Sequence, residues 1–61
     1  MTINKIQLND DQVDLAKQWL PNGSYPYAYN IKGMLWFRDH LGRKNAIKLS
    51  ADQIQQLNQF N

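Results

Sequence analysis

Apolar positions in this chain follow two periods, and the boundaries between them mark the elements. Val13, Ala16 and Leu20 recur at helical spacing, with Leu15 and Trp19 widening the stripe, which predicts a helix from about Asp10 to Leu20. Pro21 followed by Asn22-Gly23 stops it, and residues 21–26 read as a loop. Beyond the loop, Tyr27, Tyr29 and Ile31 alternate with Ala28 and Asn30 at the period of a half-buried strand. Lys32-Gly33 interrupts that run. A second strand follows over Met34 to Arg38, and a third leads to Leu49. Ser50 opens a last helix with Ile54, Leu57 and Phe60 as its apolar face.

One construction occurs twice, about 41 residues apart: Ile6 to Val13 and Ile47 to Ile54. In each copy a short strand feeds a helix through a capping residue, Asn9 or Ser50, with a glutamine three places on, Gln12 or Gln53, that can reach back to the cap's own N–H. Leu8 and Leu49 precede the caps and stand where they can pack on Val13 and Ile54, completing a hydrophobic staple. The segment between the copies has no second counterpart, so the likeness is read as convergence on the same helix-start chemistry.

The strands fix a register. If His40-Leu41-Gly42 is the hairpin loop, Asp39 opposes Arg43, and the pairs run Arg38 with Lys44, Phe37 with Asn45, Trp36 with Ala46, Leu35 with Ile47 and Met34 with Lys48. Leu35, Phe37, Ile47 and Leu49 then share one face, which the amphipathic helices must cover. A four-residue loop would slip the pairing by one and destroy that separation. The expected fold is therefore a single α+β domain over residues 1–61, a small antiparallel sheet of three strands packed against two helices in the order (β)αβββα, with a fourth strand available from residues 3–8.

Sixty-one residues bury only about 60% of the surface that the unfolded chain exposes, so stability is expected to be marginal. There is no cysteine for a disulfide, and a lone His40 cannot make a structural zinc site. The polar start Thr2-Ile3-Asn4-Lys5 lacks the apolar run of a signal peptide, and the longest unbroken apolar stretch, Met34 to Phe37, is far too short to span a bilayer. These features predict a cytoplasmic protein.

Charge is distributed unevenly along the chain. The net charge is only +2, yet Lys32, Arg38, Arg43, Lys44 and Lys48 crowd residues 32–48 against Asp39 alone. The first twenty residues instead carry Asp10, Asp11 and Asp14 against Lys5 and Lys17. The three aspartates complement the dipole at the start of a helix, which accounts for them without a metal. His40 beside Asp39 reads as a solvated turn histidine, because adjacent side chains in a tight loop seldom converge and no nucleophile has a place beside them. With no glutamate, no glycine-rich phosphate loop and no metal spacing, the expectation is a non-enzymatic protein with no cofactor and no metal site.

The face opposite the expected core carries Met34, Trp36, Arg38, Lys44 and Lys48, with Arg43 at the hairpin tip. Cations beside an exposed indole suit a surface that meets phosphates and stacks or wedges a ring against bases. These six residues are the candidate binding site, and nucleic acid is the expected partner of a small regulator or accessory factor. Two other readings compete. A compact inhibitor of phage or mobile-element type would use Trp36 and Met34 to anchor on a host protein. A homodimeric subunit would complete its small core across a two-fold axis. Tyr27 and Tyr29 are expected to be packing residues, because their alternation places them on the buried side of their strand.

Overall fold

The computed structural model describes residues 4–60. Six elements follow one another in the order β α β β β α: β1 (Ile6–Gln7), α1 (Asp10–Lys17), β2 (Tyr25–Tyr29), β3 (Met34–Arg38), β4 (Lys44–Lys48) and α2 (Ala51–Asn58). The strands form one antiparallel sheet in the order β1-β2-β3-β4. The fourth strand is thus the expected N-terminal one, within residues 3–8; Ile3 itself lies outside the described residues.

Both helix starts form as the repeat predicts. The Asn9 side chain accepts the Gln12 N–H at 2.9 Å while the Asn9 N–H donates to Gln12 Oε1, also at 2.9 Å. Ser50 and Gln53 repeat the exchange at 3.2 and 2.8 Å. Leu8 and Val13 are buried, as a staple requires, and Leu49 is buried with Ile54 packed against the same core. Gln12 then departs from its counterpart. It is buried, and its Nε2 donates to the Leu57 carbonyl at 2.8 Å, so the cap of α1 also ties down the end of α2. Gln53 stays near the surface.

Helix α1 ends at Lys17, three residues before the predicted Leu20. The N–H groups of Gln18, Trp19 and Leu20 bond to the carbonyls of Leu15, Ala16 and Lys17, tightening the chain to three-residue turns ahead of Pro21, which disfavours helical backbone in the residue before it. Trp19 and Leu20 nevertheless pack against the core as the stripe requires.

Strand β2 begins and ends two residues earlier than the alternation suggests. Asn30 is the reason. Its side-chain oxygen accepts the N–H groups of Lys32 and Met34 at 3.1 and 2.9 Å, its own N–H donates to the Met34 carbonyl at 2.9 Å, and Gly33 closes the loop with φ +112°. Ile31 therefore sits in a turn, 70% exposed, rather than in a strand. Asp39 builds the second hairpin in the same way: its carboxylate accepts the Leu41 and Arg43 N–H groups at 2.9 Å each, its N–H donates to the Arg43 carbonyl, and Gly42 takes φ +81°. The β3–β4 register is the predicted one at every pair from Met34 with Lys48 to Arg38 with Lys44.

Both helices cover one face of the sheet. Ala16, Tyr29, Leu35 and Leu57 are sealed there, joined by Leu8, Val13 and Leu49. The Tyr29 hydroxyl donates to Asn58 Oδ1 at 2.8 Å, which gives the buried phenol a polar partner on α2. Phe60 does not extend the apolar face of α2. It follows the C-cap Gln59 and is 43% exposed, and its backbone carbonyl accepts from Asn9 Nδ2 at 3.0 Å.

Candidate functional site

The helices leave the other face of the sheet open. Directly paired residues share a face and alternate residues along a strand return to it, so the register assigns its occupants. Tyr25, Arg38 and Lys44 form one cross-strand row, Gln7, Ala28, Trp36 and Ala46 the next, and Met34 with Lys48 the last.

A β-bulge alters β2 within this face. The register with β3 shifts between Pro26 and Ala28, leaving Tyr27 as the extra residue. On one side of the shift Pro26 pairs with Phe37, and on the other Tyr29 pairs with Leu35, both toward the core. Tyr27 is displaced from the alternation and lines an open groove of about 290 Å³ with Lys5, Tyr25, Arg38 and Lys44. Of the two tyrosines expected to be packing residues, Tyr29 is wholly buried, whereas Tyr27 is half-buried and also lines the groove. The proline inside the strand was the available signal, because proline in a sheet belongs at edges and bulges.

Of the six candidate residues, the structure brings Trp36, Arg38 and Lys44 onto the middle of the open face, with Met34 and Lys48 at its far end. Arg43 is not among the residues that line the groove; it is exposed at the hairpin tip. Trp36 is half-buried rather than fully exposed, and the Lys5 ammonium lies 4.7 Å from its ring centroid, in cation–π range. Arg38 donates from one guanidinium nitrogen to the Gly42 carbonyl at 2.8 Å, which fixes its direction along the hairpin. Lys5, Tyr25 and Tyr27 join the site although the sequence pattern does not single them out. Lys5 lies on β1's approach to the sheet, and pairing of β1 beside β2 is what carries its ammonium over Trp36.

The carboxylates are segregated from this face. Asp10, Asp11 and Asp14 belong to α1 and Asp52 to the first turn of α2, behind the sheet. Asp39, the fifth, is engaged within the hairpin, Oδ1 accepting the Leu41 and Arg43 N–H groups and Oδ2 the Asn45 side-chain amide. The open face consequently presents Lys5, Arg38, Lys44 and Lys48 with no side-chain carboxylate among them.

Asp39 is held below the usual carboxylate range chiefly by the Arg43 N–H; desolvation opposes it, and the Leu41 N–H and the charges of Arg43 and His40 add to the lowering. A depressed folded-state pKa stabilises the hairpin above the unfolded value, and that contribution is lost as pH falls through the folded one. The Leu41 and Arg43 amide resonances are accordingly expected to titrate together with a midpoint below the ordinary aspartate value. Those of Lys32 and Met34, bonded to the neutral Asn30, should lack that transition. A midpoint at or above the ordinary aspartate value, read by two-dimensional NMR, would contradict the bonding described.

Among the described residues no histidines, cysteines or carboxylates gather in threes as a metal would require, and no helix is long and apolar enough to cross a membrane. No protein-family model, curated protein or solved structure matches this chain.

Proposed function

We propose that this protein is a small non-enzymatic nucleic-acid-binding regulator or accessory factor, and that its open sheet face is the contact surface. One observation carries the reading: four cations and three aromatic rings share a face from which all five side-chain carboxylates are absent. Phosphates meet the cations, and the rings offer apolar surface to bases. The half-buried setting of Trp36 helps, because a ring already held in place loses little freedom on binding.

Fluorescence anisotropy with labelled oligonucleotides over a series of salt concentrations tests it. Affinity should fall steeply with salt, and Arg38→Ala combined with Lys44→Ala should flatten the log–log slope by about 1.4–1.8, roughly 0.7–0.9 for each phosphate left without its cation. Binding that is indifferent to both salt and the double substitution would remove nucleic acid as the partner. A protein captured from nuclease-treated lysate through Trp36, insensitive to salt, would instead identify the face as a protein-binding anchor.

A further inference from the structure

The ligand's strandedness and its path can be taken further from Tyr25. This side chain is 53% exposed and is shared by two depressions. One is the groove already described; the other, about 270 Å³, is lined by Lys17, Pro21, Asn22, Gly23, Ser24 and Tyr25. The Tyr25 ring therefore stands as a ridge between two recesses of nearly equal size, each supplied with at least one cation. On the second side the Lys17 ammonium lies 5.1 Å from the ring centroid. Lys17 is the basic residue in the last turn of α1, so positive charge continues past the edge of the hairpin onto the helix layer.

We infer that the ligand is a single-stranded nucleic acid whose backbone crosses the sheet face from Trp36 and Lys5 over Tyr25 and into the recess beside Lys17. The inference rests on the nucleic-acid reading above and specifies its substrate class. Bases in a duplex are already stacked on one another and present only their edges, whereas a single strand can lay its base faces on the rings of this surface. Shape agrees. A two-stranded ribbon enters the major groove, about 12 Å wide, but the β3–β4 hairpin is built into a four-stranded sheet whose strands span about 14 Å at their usual spacing. That width would rest on the groove's rims and hold the rings away from the bases. Two rings with ammonium groups already poised over them, Trp36 under Lys5 and Tyr25 under Lys17, give a repeated unit: a base can take the ring while the displaced lysine meets the adjoining phosphate.

Anisotropy with a thymidine oligonucleotide of about 12 nucleotides, the same sequence as RNA, and the corresponding duplex separates the outcomes. Single strands should bind at least about tenfold more tightly than the duplex, the difference expected from one base–ring stack. Tyr25→Ala should weaken single-strand binding by about five- to a hundredfold, and Tyr25→Phe should retain it. Lys17→Gln, outside the hairpin, should lower the single-strand salt slope by about 0.7. Circular dichroism establishes that each exposed-site variant is folded. Equal affinity for duplex and single strand would overturn this inference while leaving nucleic-acid binding intact. Normal single-strand binding by Lys17→Gln would overturn the path past Tyr25. Failure of all three probes, or preferential binding to phosphatidylserine vesicles, would overturn both proposals.

Discussion

Replacing Leu35 by alanine is expected to abolish the cooperative thermal unfolding transition of this protein. Leu35 is wholly inaccessible, in the middle of β3, paired with Tyr29 on one side and Ile47 on the other, in the same cluster as Leu49 and Leu57. Truncating a buried leucine costs about 2–5 kcal/mol, because the forfeited transfer energy is joined by the cost of the cavity left behind. A core of this size rarely supplies more than about 3–5 kcal/mol of net stability. The two quantities are equal in scale, so one substitution is enough to unfold the chain. Ile31→Ala is the control. Ile31 shares the alternation of Tyr27 and Tyr29 in the sequence but is exposed in the turn, and its removal should shift stability by no more than about 0.5 kcal/mol. Thermal and urea melts followed by far-ultraviolet circular dichroism measure both. A Leu35→Ala protein that melts as the parent does would show that the core is not centred where the structure puts it.

Ile31 also departs from the strand that periodicity alone assigns it. Periodicity located the strands because apolar residues needed for burial must return every second position, and it set the β3–β4 register because a slip of one would turn Leu35, Phe37 and Ile47 to solvent. Capping chemistry located both helix starts because it is local: a cap, a glutamine three places on and a staple suffice. What periodicity could not register was a change of phase. The bulge between Pro26 and Ala28 inserts one residue, so the alternation of Tyr27, Tyr29 and Ile31 in sequence is not an alternation in space. Five of the six residues singled out from the sequence reach the open face for the same reason, with Met34 and Lys48 at its end. Trp36, Arg38 and Lys44 depend on the hairpin register alone, whereas Tyr27 depends on the bulge and Lys5 on the pairing of β1, a contact between segments distant in sequence. Lys17 depends on where α1 ends relative to β2, which no local pattern specifies.

Consequences of the same kind separate the two hairpin loops, whose equivalence lies in Asn30 to Met34 matching Asp39 to Arg43. Gly33→Ala is expected to destabilise the protein by about 2–4 kcal/mol, and Gly42→Ala by about 1–2 kcal/mol. Both glycines hold positive φ, a conformation in which a Cβ is strained. Their surroundings differ. A Cβ on Gly42 would meet nothing within 4 Å, so only the backbone cost applies. A Cβ on Gly33 would lie 3.2 Å from the Leu49 carbonyl oxygen, and Gly33 is buried where its own carbonyl accepts the Leu49 N–H. That bond joins the β2–β3 turn to the residue just ahead of the α2 cap, so moving Gly33 aside disturbs the staple of the second helix as well. Asparagine sharpens the comparison, because it tolerates the left-handed region near φ +57°. Gly42 at +81° is close enough for Gly42→Asn to recover most of the stability, while Gly33 at +112° lies too far for Gly33→Asn to do so. In a domain of this size each kcal/mol lowers Tm by about 4–8 °C, so thermal melts of the four variants resolve the order. Equal destabilisation at the two positions would mean that the approach of Leu49 to Gly33 contributes nothing and that the loops differ only in sequence.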